Sequence, residues 1–357
     1  MIQKTLLLFA LLGASFTAWA QVDTVRASTL PGPQLAEKAY NNGLANFNAQ
    51  HYPAALRSFD QAIVAKPDFA AAYTNRAATR YELKEYPQAV TDYDQALRLE
   101  PGSYASYFGR ARAHEAQNQL ADADQDYSAA VKAKADYAPA WYNRGVLRFE
   151  KGDYQAARAD FDGAIQADPK MAYAYHDRGS ANEKLSNYPA AAQDYTQALA
   201  LQPDLLSALL NRATAERHSS QLPAALKDYD DYLAQKADNP LAFNNRGSAR
   251  FENKDYAGAT ADFSQAIKLN AKYAYAWNNR AAAQLKSEKY AAAAADAAEA
   301  IRLKPDYAEA YLNRGHAREM LRQADEACQD WRKAAQLGIA VGDNYAAAAG
   351  CAGEAAE

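Results

Sequence analysis

The chain has 357 residues, length enough for two or three ordinary domains, yet Ile and Val together number only 13, too little β-branched material for a sheet-rich fold. Sixteen Gly and thirteen Pro fall below average usage and exclude a loop-rich or disordered chain, which leaves a mostly helical one. Thirty-nine Lys and Arg against 43 Asp and Glu give a net charge of -4, with no basic excess for nucleic acid or an anionic membrane.

In chain order, residues 1–20 read as a secretory signal peptide: cationic Lys4, an apolar run from Thr5 to Leu12, and the small-residue site Ala18-Trp19-Ala20 before Gln21. The run is shorter than the roughly 20 apolar residues that span a bilayer, so cleavage is expected rather than retention as an anchor. The mature chain is then exported, periplasmic or extracellular, and not an integral membrane protein. Residues 21–35, with Pro31, Pro33 and several small polar residues, predict a flexible lead-in.

From Ala36 to Val341 one period fits without insertion or deletion. It gives nine units of 34 residues: 36–69, 70–103, 104–137, 138–171, 172–205, 206–239, 240–273, 274–307 and 308–341. Position 20 of the unit is Ala in every copy, from Ala55 to Ala327, and position 8 is always Gly or Ala. Position 24 is aromatic in eight copies, from Phe59 to Trp331, with Ala297 the exception; position 27 is Ala everywhere but Tyr232. Positions 4, 8 and 11 share one face of a first helix and positions 20, 24 and 27 one face of a second, so the two faces are expected to meet. Small residues at 8 and 20 permit close approach, while aromatics at 24 and at 4 (Tyr73, Trp141 and Trp277 among them) fill the gap beside them. Pro67, Pro101, Pro169, Pro203 and Pro305 at position 32 end second helices, and residues such as Gly152-Asp153 and Ser186-Asn187 near position 15 supply the turn within the unit. Residues 342–357 begin a tenth unit with Tyr345 and Ala349, then stop, which predicts a capping helix.

With its aromatic at 4, Gly or Ala at 8, aromatic at 17 (Tyr52, Tyr86, Tyr154, Tyr188, Tyr256, Tyr290) and Ala at 20 and 27, the pattern resembles the tetratricopeptide repeat (TPR) family over 306 residues. The resemblance implies an all-α fold: an α-solenoid, coiled as a right-handed superhelix, of nine helix-turn-helix TPR units plus the C-terminal capping helix, with a concave groove. No length remains for a separate catalytic domain.

Position 7, usually Leu in the family, is Arg in eight copies, and position 23 is Asp in eight. The first unit lacks both, carrying Asn42 and Ser58, so pairing within a unit strands no member, whereas pairing with the preceding unit strands Asp330. Eight ion pairs clamping the two helices of a unit are therefore expected, two solvated faces being the alternative. Position 6 is Asn in seven units: Asn41, Asn75, Asn143, Asn211, Asn245, Asn279 and Asn313. Asn offers donor and acceptor, so such a row can hydrogen-bond the backbone of an extended peptide whatever its sequence. In similar arrays Asn at this position lies on the concave surface, which implies a peptide track here; a row that is simply solvated is the alternative. Aromatics at positions 5 and 12, including Tyr142, Phe149 and Phe251, project near the same groove and serve either as anchors for a partner or as packing against the next first helix. The carboxylate clamp of chaperone-binding members needs cations at positions 2, 5 and 6, where this chain carries Tyr173, Ser207 and Leu241 at 2 and no Lys at 5.

Chemistry-bearing motifs are missing. The five His fall at five different unit positions, His114-Glu115 lacks a second His at Asn118, and Asp122, Asp124 and Asp126 splay around a helix with Tyr127 where a calcium loop needs Gly. No phosphate-cradling Gly loop, nucleophile elbow or C-x-x-C pair occurs, so neither enzyme activity, a metal nor a cofactor is expected. In an exported chain an even pair of cysteines reads first as a disulfide, and Cys328 with Asp330, Trp331, a Leu-Gly step and then Cys351 resembles the ends of other exported bacterial repeat proteins, implying a Cys328–Cys351 bond; two free thiols are the alternative. The functional expectation is a non-catalytic protein–protein interaction scaffold or adaptor that holds an extended segment of a partner protein in its groove. The other readings are a structural subunit of a cell-envelope assembly docking a folded partner by its outer surface, and a carbohydrate-binding accessory protein.

Overall fold

The structure, a computed structural model, describes residues 32–351. The signal peptide expected at 1–20 lies outside the described residues, as do most of the lead-in and residues 352–357. The chain forms two compact bodies, up to Leu185 and from Ser186 onward. The first contains α1 (Gly32–Asn48), α2 (Tyr52–Ala65), α3 (Ala70–Glu82), α4 (Tyr86–Leu99), α5 (Tyr104–Ala116), α6 (Leu120–Ala133), α7 (Ala138–Glu150), α8 (Tyr154–Ala167) and α9 (Ala172–Lys184). The second contains α10 (Tyr188–Leu201), α11 (Leu206–His218), α12 (Leu222–Gln235), α13 (Pro240–Glu252), α14 (Tyr256–Leu269), α15 (Ala274–Lys286), α16 (Tyr290–Leu303), α17 (Ala308–Met320), α18 (Ala324–Gln336) and α19 (Val341–Ala348). Among the described residues every regular element is a helix, in the repeating pairs of an α-solenoid, and none is long and apolar enough to cross a membrane.

The turn inside each repeat is set by position 15, which is left-handed in all nine copies: Gln50, Lys84, Asn118, Gly152, Ser186, Ser220, Lys254, Glu288 and Arg322. Only Gly152 adopts this conformation without steric cost. In that repeat the Gly152 N–H donates to the Phe149 carbonyl (3.0 Å) and the Asp153 N–H to the Arg148 carbonyl (3.0 Å), the double closure that satisfies the last carbonyls of a helix. Second helices end at position 31, where Lys66, for example, turns extended (φ -145°) while its N–H still reaches the Ala62 carbonyl.

Position 24 forms the core of each repeat. Phe59, Tyr127, Phe161, Tyr195, Tyr229, Phe263 and Trp331 are all fully buried. A Cβ on Gly43, Gly145, Gly247 or Gly315 at position 8 would overlap the ring of its own repeat, so close approach requires glycine beneath Phe59, Phe161, Phe263 and Trp331. Where position 8 is Ala (Ala77, Ala111, Ala213) the ring is Tyr (Tyr93, Tyr127, Tyr229).

Both ends depart from expectation. The lead-in expected to run through Leu35 is helical from Gly32, because Pro33 sits in the first turn, where its missing N–H costs no hydrogen bond. The capping helix expected over 342–357 spans only Val341–Ala348. The left-handed Gly350 (φ 68°) then reverses the chain, and Cys351 is disulfide-bonded to Cys328 with Cα atoms 5.7 Å apart. Ala346 packs on Ala327 and Trp331 under this staple.

Candidate functional site: the first-helix face

Arg76, Arg110, Arg144, Arg246 and Arg280 at position 7 each join three groups, and the other position-7 Arg side chains make part of the same set. Nε and Nη2 fork onto the Asp at position 23 of the same repeat, as in Arg144 to Asp160 (3.0 and 2.6 Å) and Arg280 to Asp296 (2.6 and 2.8 Å). The same fork joins Arg76 to Asp92, Arg110 to Asp126, Arg212 to Asp228, Arg246 to Asp262 and Arg314 to Asp330. The guanidinium also lies over the position-4 ring one turn earlier, 5.0 Å from Trp141 for Arg144 and 4.8 Å from Trp277 for Arg280. A third contact was not foreseen: Nη1 reaches back to position 25 of the preceding repeat, at Asp60 from Arg76 (2.7 Å), Asp162 from Arg178 (2.6 Å) and Asp230 from Arg246 (2.6 Å). Pairing within a repeat therefore holds, and the same side chain ties each repeat to its neighbour. The signal was present in the sequence, since position 25 carries Asp60, Asp94, Ser128, Asp162, Thr196, Asp230 and Ser264. The fork to Asp126, against the pull of burial, and the contact with Asp94 raise the Arg110 pKa, so the clamps stay charged at every ordinary pH.

Position 11 aims at the same aspartate. Arg80, Arg250 and Arg318 reach Asp92, Asp262 and Asp330 at 2.9, 2.9 and 2.7 Å. In the sixth repeat the position holds Glu216, whose Oε2 is buried with no hydrogen-bond partner among the described residues. Burial, then the Asp228 charge, push its carboxyl up to about 7, with Arg212 and Lys227 opposing.

The Asn row at position 6 is half-exposed at Asn75, Asn143, Asn211, Asn245, Asn279 and Asn313 and fully exposed at Asn41. At Asn75, Asn143, Asn279 and Asn313 the donor is committed inside the chain. Asn143 Nδ2 donates to the Pro139 carbonyl (2.8 Å), and Asn75 Nδ2 to the Ala71 carbonyl and the Tyr40 hydroxyl (both 2.9 Å). Asn279 and Asn313 donate to Asn244 and Asn278, at position 5 of the preceding repeat (3.0 and 2.8 Å), and Asn245 accepts from Asn244. A carbonyl can only accept, so the contacts to Ala71 and Pro139 fix those amides with nitrogen inward. The Oδ1 atoms of Asn75, Asn143, Asn279 and Asn313 accept nothing from the described residues. Asp177 takes the place of Asn in the fifth repeat; it is buried and accepts from the Tyr142 hydroxyl (2.8 Å) and His176 Nδ1 (2.8 Å).

The three aromatics expected along this face are half-buried and held from within. The Tyr142 ring lies 5.9 Å from Phe161, and burial, then Asp177, raise the pKa of its hydroxyl. Phe149 and Phe251 stand edge-on to Tyr154 (5.1 Å) and Tyr256 (5.3 Å), a contact from position 12 to position 17 that recurs at Phe47–Tyr52 and closes the turn of the repeat. Two expected residues, Phe251 and Asn313, come together in a cleft of about 460 Å³ lined from α13, α15, α16 and α17, whose walls also include Ala282, Leu285, Tyr290, His316 and Met320 together with the charged Lys286 and Glu319. The cleft was not foreseen, because it draws on three repeats. Among the described residues no cluster of three or more His, Cys, Asp or Glu side chains is placed to hold a metal.

The tetratricopeptide repeat profile matches residues 70–103, 108–172 and 176–240. No curated protein matches the chain. Among solved structures the chain is similar to YrrB, a TPR protein with an unusual peptide-binding site (20% identity, 55% of this chain and 97% of that one, TM-score 0.50). It is also similar to the C-terminal part of a TPR repeat-containing protein from Cytophaga hutchinsonii (19% identity, 67% and 98%, TM-score 0.56) and to the APC/C hetero-tetramer Cut9-Hcn1 (15% identity, 88% and 76%, TM-score 0.54). At such identities the likeness concerns the fold. The unbroken 34-residue register, the helix pairs built on Gly or Ala at 8 beneath an aromatic at 24, and these matches place the chain in the tetratricopeptide repeat family.

Proposed function

We propose that the protein is a non-catalytic interaction scaffold that receives an extended segment of a partner protein along its first-helix face. The observation that carries this reading is the amide row: nitrogen bonded inward, oxygen uncommitted, at Asn75, Asn143, Asn279 and Asn313. Asn279 and Asn313 stand on consecutive first helices of one body, and their open oxygens accept backbone N–H groups, which every peptide presents, so the pair holds main chain and leaves side-chain choice to its surroundings. The similarity to YrrB, described as having a peptide-binding site, agrees with this reading. The test is the double variant N279A/N313A, both sites in one body, against the tightest decapeptide selected from a random display library on the wild-type protein. Affinity should fall at least tenfold with helicity retained, and unchanged affinity would sink the proposal. We also propose that the protein works outside the cytoplasm; the Cys328–Cys351 bond supports this, because disulfides persist in oxidising compartments.

A further inference from the structure

The cleft lined from α13, α15, α16 and α17 lies over the one repeat that lacks its core ring. Elsewhere the position-24 side chain passes beneath the first helix of its own repeat and ends, still buried, against residues of that helix or the next first helix. The Tyr127 hydroxyl donates to Glu115 at position 12 (2.9 Å), and the Tyr229 hydroxyl meets Thr214 at position 9 (3.1 Å). The ring also reaches the next repeat at position 6, since a Cβ on Gly109 would overlap the Tyr93 phenol. In the eighth repeat the residue at 24 is Ala297, fully buried and too short for that path. The residues such a ring would meet are Ala282 at position 9, Leu285 at position 12 and Asn313 at position 6 of the following repeat, and all three line the cleft. Ala297 itself does not line the cleft, but a tyrosine there, following the path of the other rings, would reach toward these three residues.

We infer that this cleft is a specificity pocket that takes an aromatic side chain, Phe or Tyr, from the bound partner segment, supplying from outside the ring the eighth repeat lacks. The inference rests on the reading of this face as the peptide-binding surface and names what that peptide must carry. The walls suit a ring. Leu285, Ala282 and Phe251 are apolar, and His316 is held rigid by Tyr345 at 4.5 Å and Trp331 at 5.7 Å. Burial lowers the His316 pKa, Glu319 opposing and Lys286 adding, which favours the neutral, aromatic imidazole. At about 460 Å³ the cleft exceeds one ring, leaving width for the main chain beside the open oxygen of Asn313. In-trans filling also explains why Ala297 is tolerated: the other Ala-8 repeats all support a Tyr at 24, so nothing in Ala281 excludes one.

The test uses the full-length protein and two small probes, N-acetyl-phenylalaninamide and N-acetyl-alaninamide, followed by NMR at the Leu285 and Met320 methyls and the His316 ring. The Phe probe should shift these signals saturably, the Ala probe should not, and A297Y should abolish the response by filling the pocket from below. Should A297Y fail to fold, A282R closes the pocket from its mouth, at a position where the third repeat already carries Arg112. Absence of a saturable shift with the Phe probe, or an equal shift in the variant, overturns the inference. The same probes separate the two readings. A Phe response with no decapeptide binding leaves the pocket standing and removes the groove, whereas decapeptide binding that ignores both A297Y and aromatic content keeps the groove and removes the pocket.

Discussion

Arg144 is 9% exposed, yet its charge is matched on every side: forked on Asp160, hydrogen-bonded to Ser128 of the preceding repeat and laid over Trp141. A buried ion pair of this kind contributes little net stability in isolation, but its geometry admits one arrangement of the two helices, which suits an element repeated with constant register. Glu216 is the counterexample, an acid 4.0 Å from Arg212 Nε and in the field of Asp228, where four other repeats place Arg. Its raised pKa means the native protein holds a proton that the unfolded chain releases between about pH 4.5 and about 7, so this group's contribution to stability is full below 4.5 and is lost as pH rises through 7. E216Q should therefore recover about 1–2 kcal/mol at pH 8 and nothing at pH 4, less than the full shift because Arg212 and nearby solvent screen the charge. Denaturant unfolding at the two pH values checks this; equal gains at both would show the proton to be irrelevant.

At the scale of the element, the helices are short and their ends carry much of the design. Thirteen-residue first helices are marginal alone and persist because their small-residue faces pack. The turn that joins each pair demands a left-handed residue, and eight of the nine copies meet the demand without glycine. Lys254 at φ 63° is such a site, exposed and making no side-chain contact on which the turn depends. K254G should raise stability by about 0.5–1 kcal/mol, the relief of left-handed strain exceeding the extra freedom of glycine in the unfolded chain. A lowered melting temperature for this variant would show that strain is not stored there.

For the molecule as a whole, stability is a sum over repeats and their nearest neighbours, so a local lesson stays local. The disulfide is the clearest case. It closes a loop of 23 residues, binding α19 to α18, where Ala346 covers Trp331. C328S/C351S should lose up to about 3 kcal/mol, and the loss should be read in amide exchange as faster opening of α18 and α19 while α3 and α4 in the other body exchange as before. Uniform acceleration along the chain would mean that the repeats open together rather than one by one.

The sequence by itself determined the helix pairs, the faces that meet, the ring over the small residue and the position-23 partner of seven position-7 Arg side chains, because these depend on local periodicity and recur in repeat after repeat, so that coincidence averages out. The single departure at position 24, Ala297, was equally legible, but not its meaning. Only the tertiary structure decided where the ring at 24 ends, that Arg reaches back to position 25, that Asn nitrogens bond to their own helix or to the preceding first helix, and that residues from three repeats enclose one cleft. Those outcomes depend on the rise and rotation from one repeat to the next. That displacement is set by how side chains interlock between repeats, and no spacing within a single repeat encodes it.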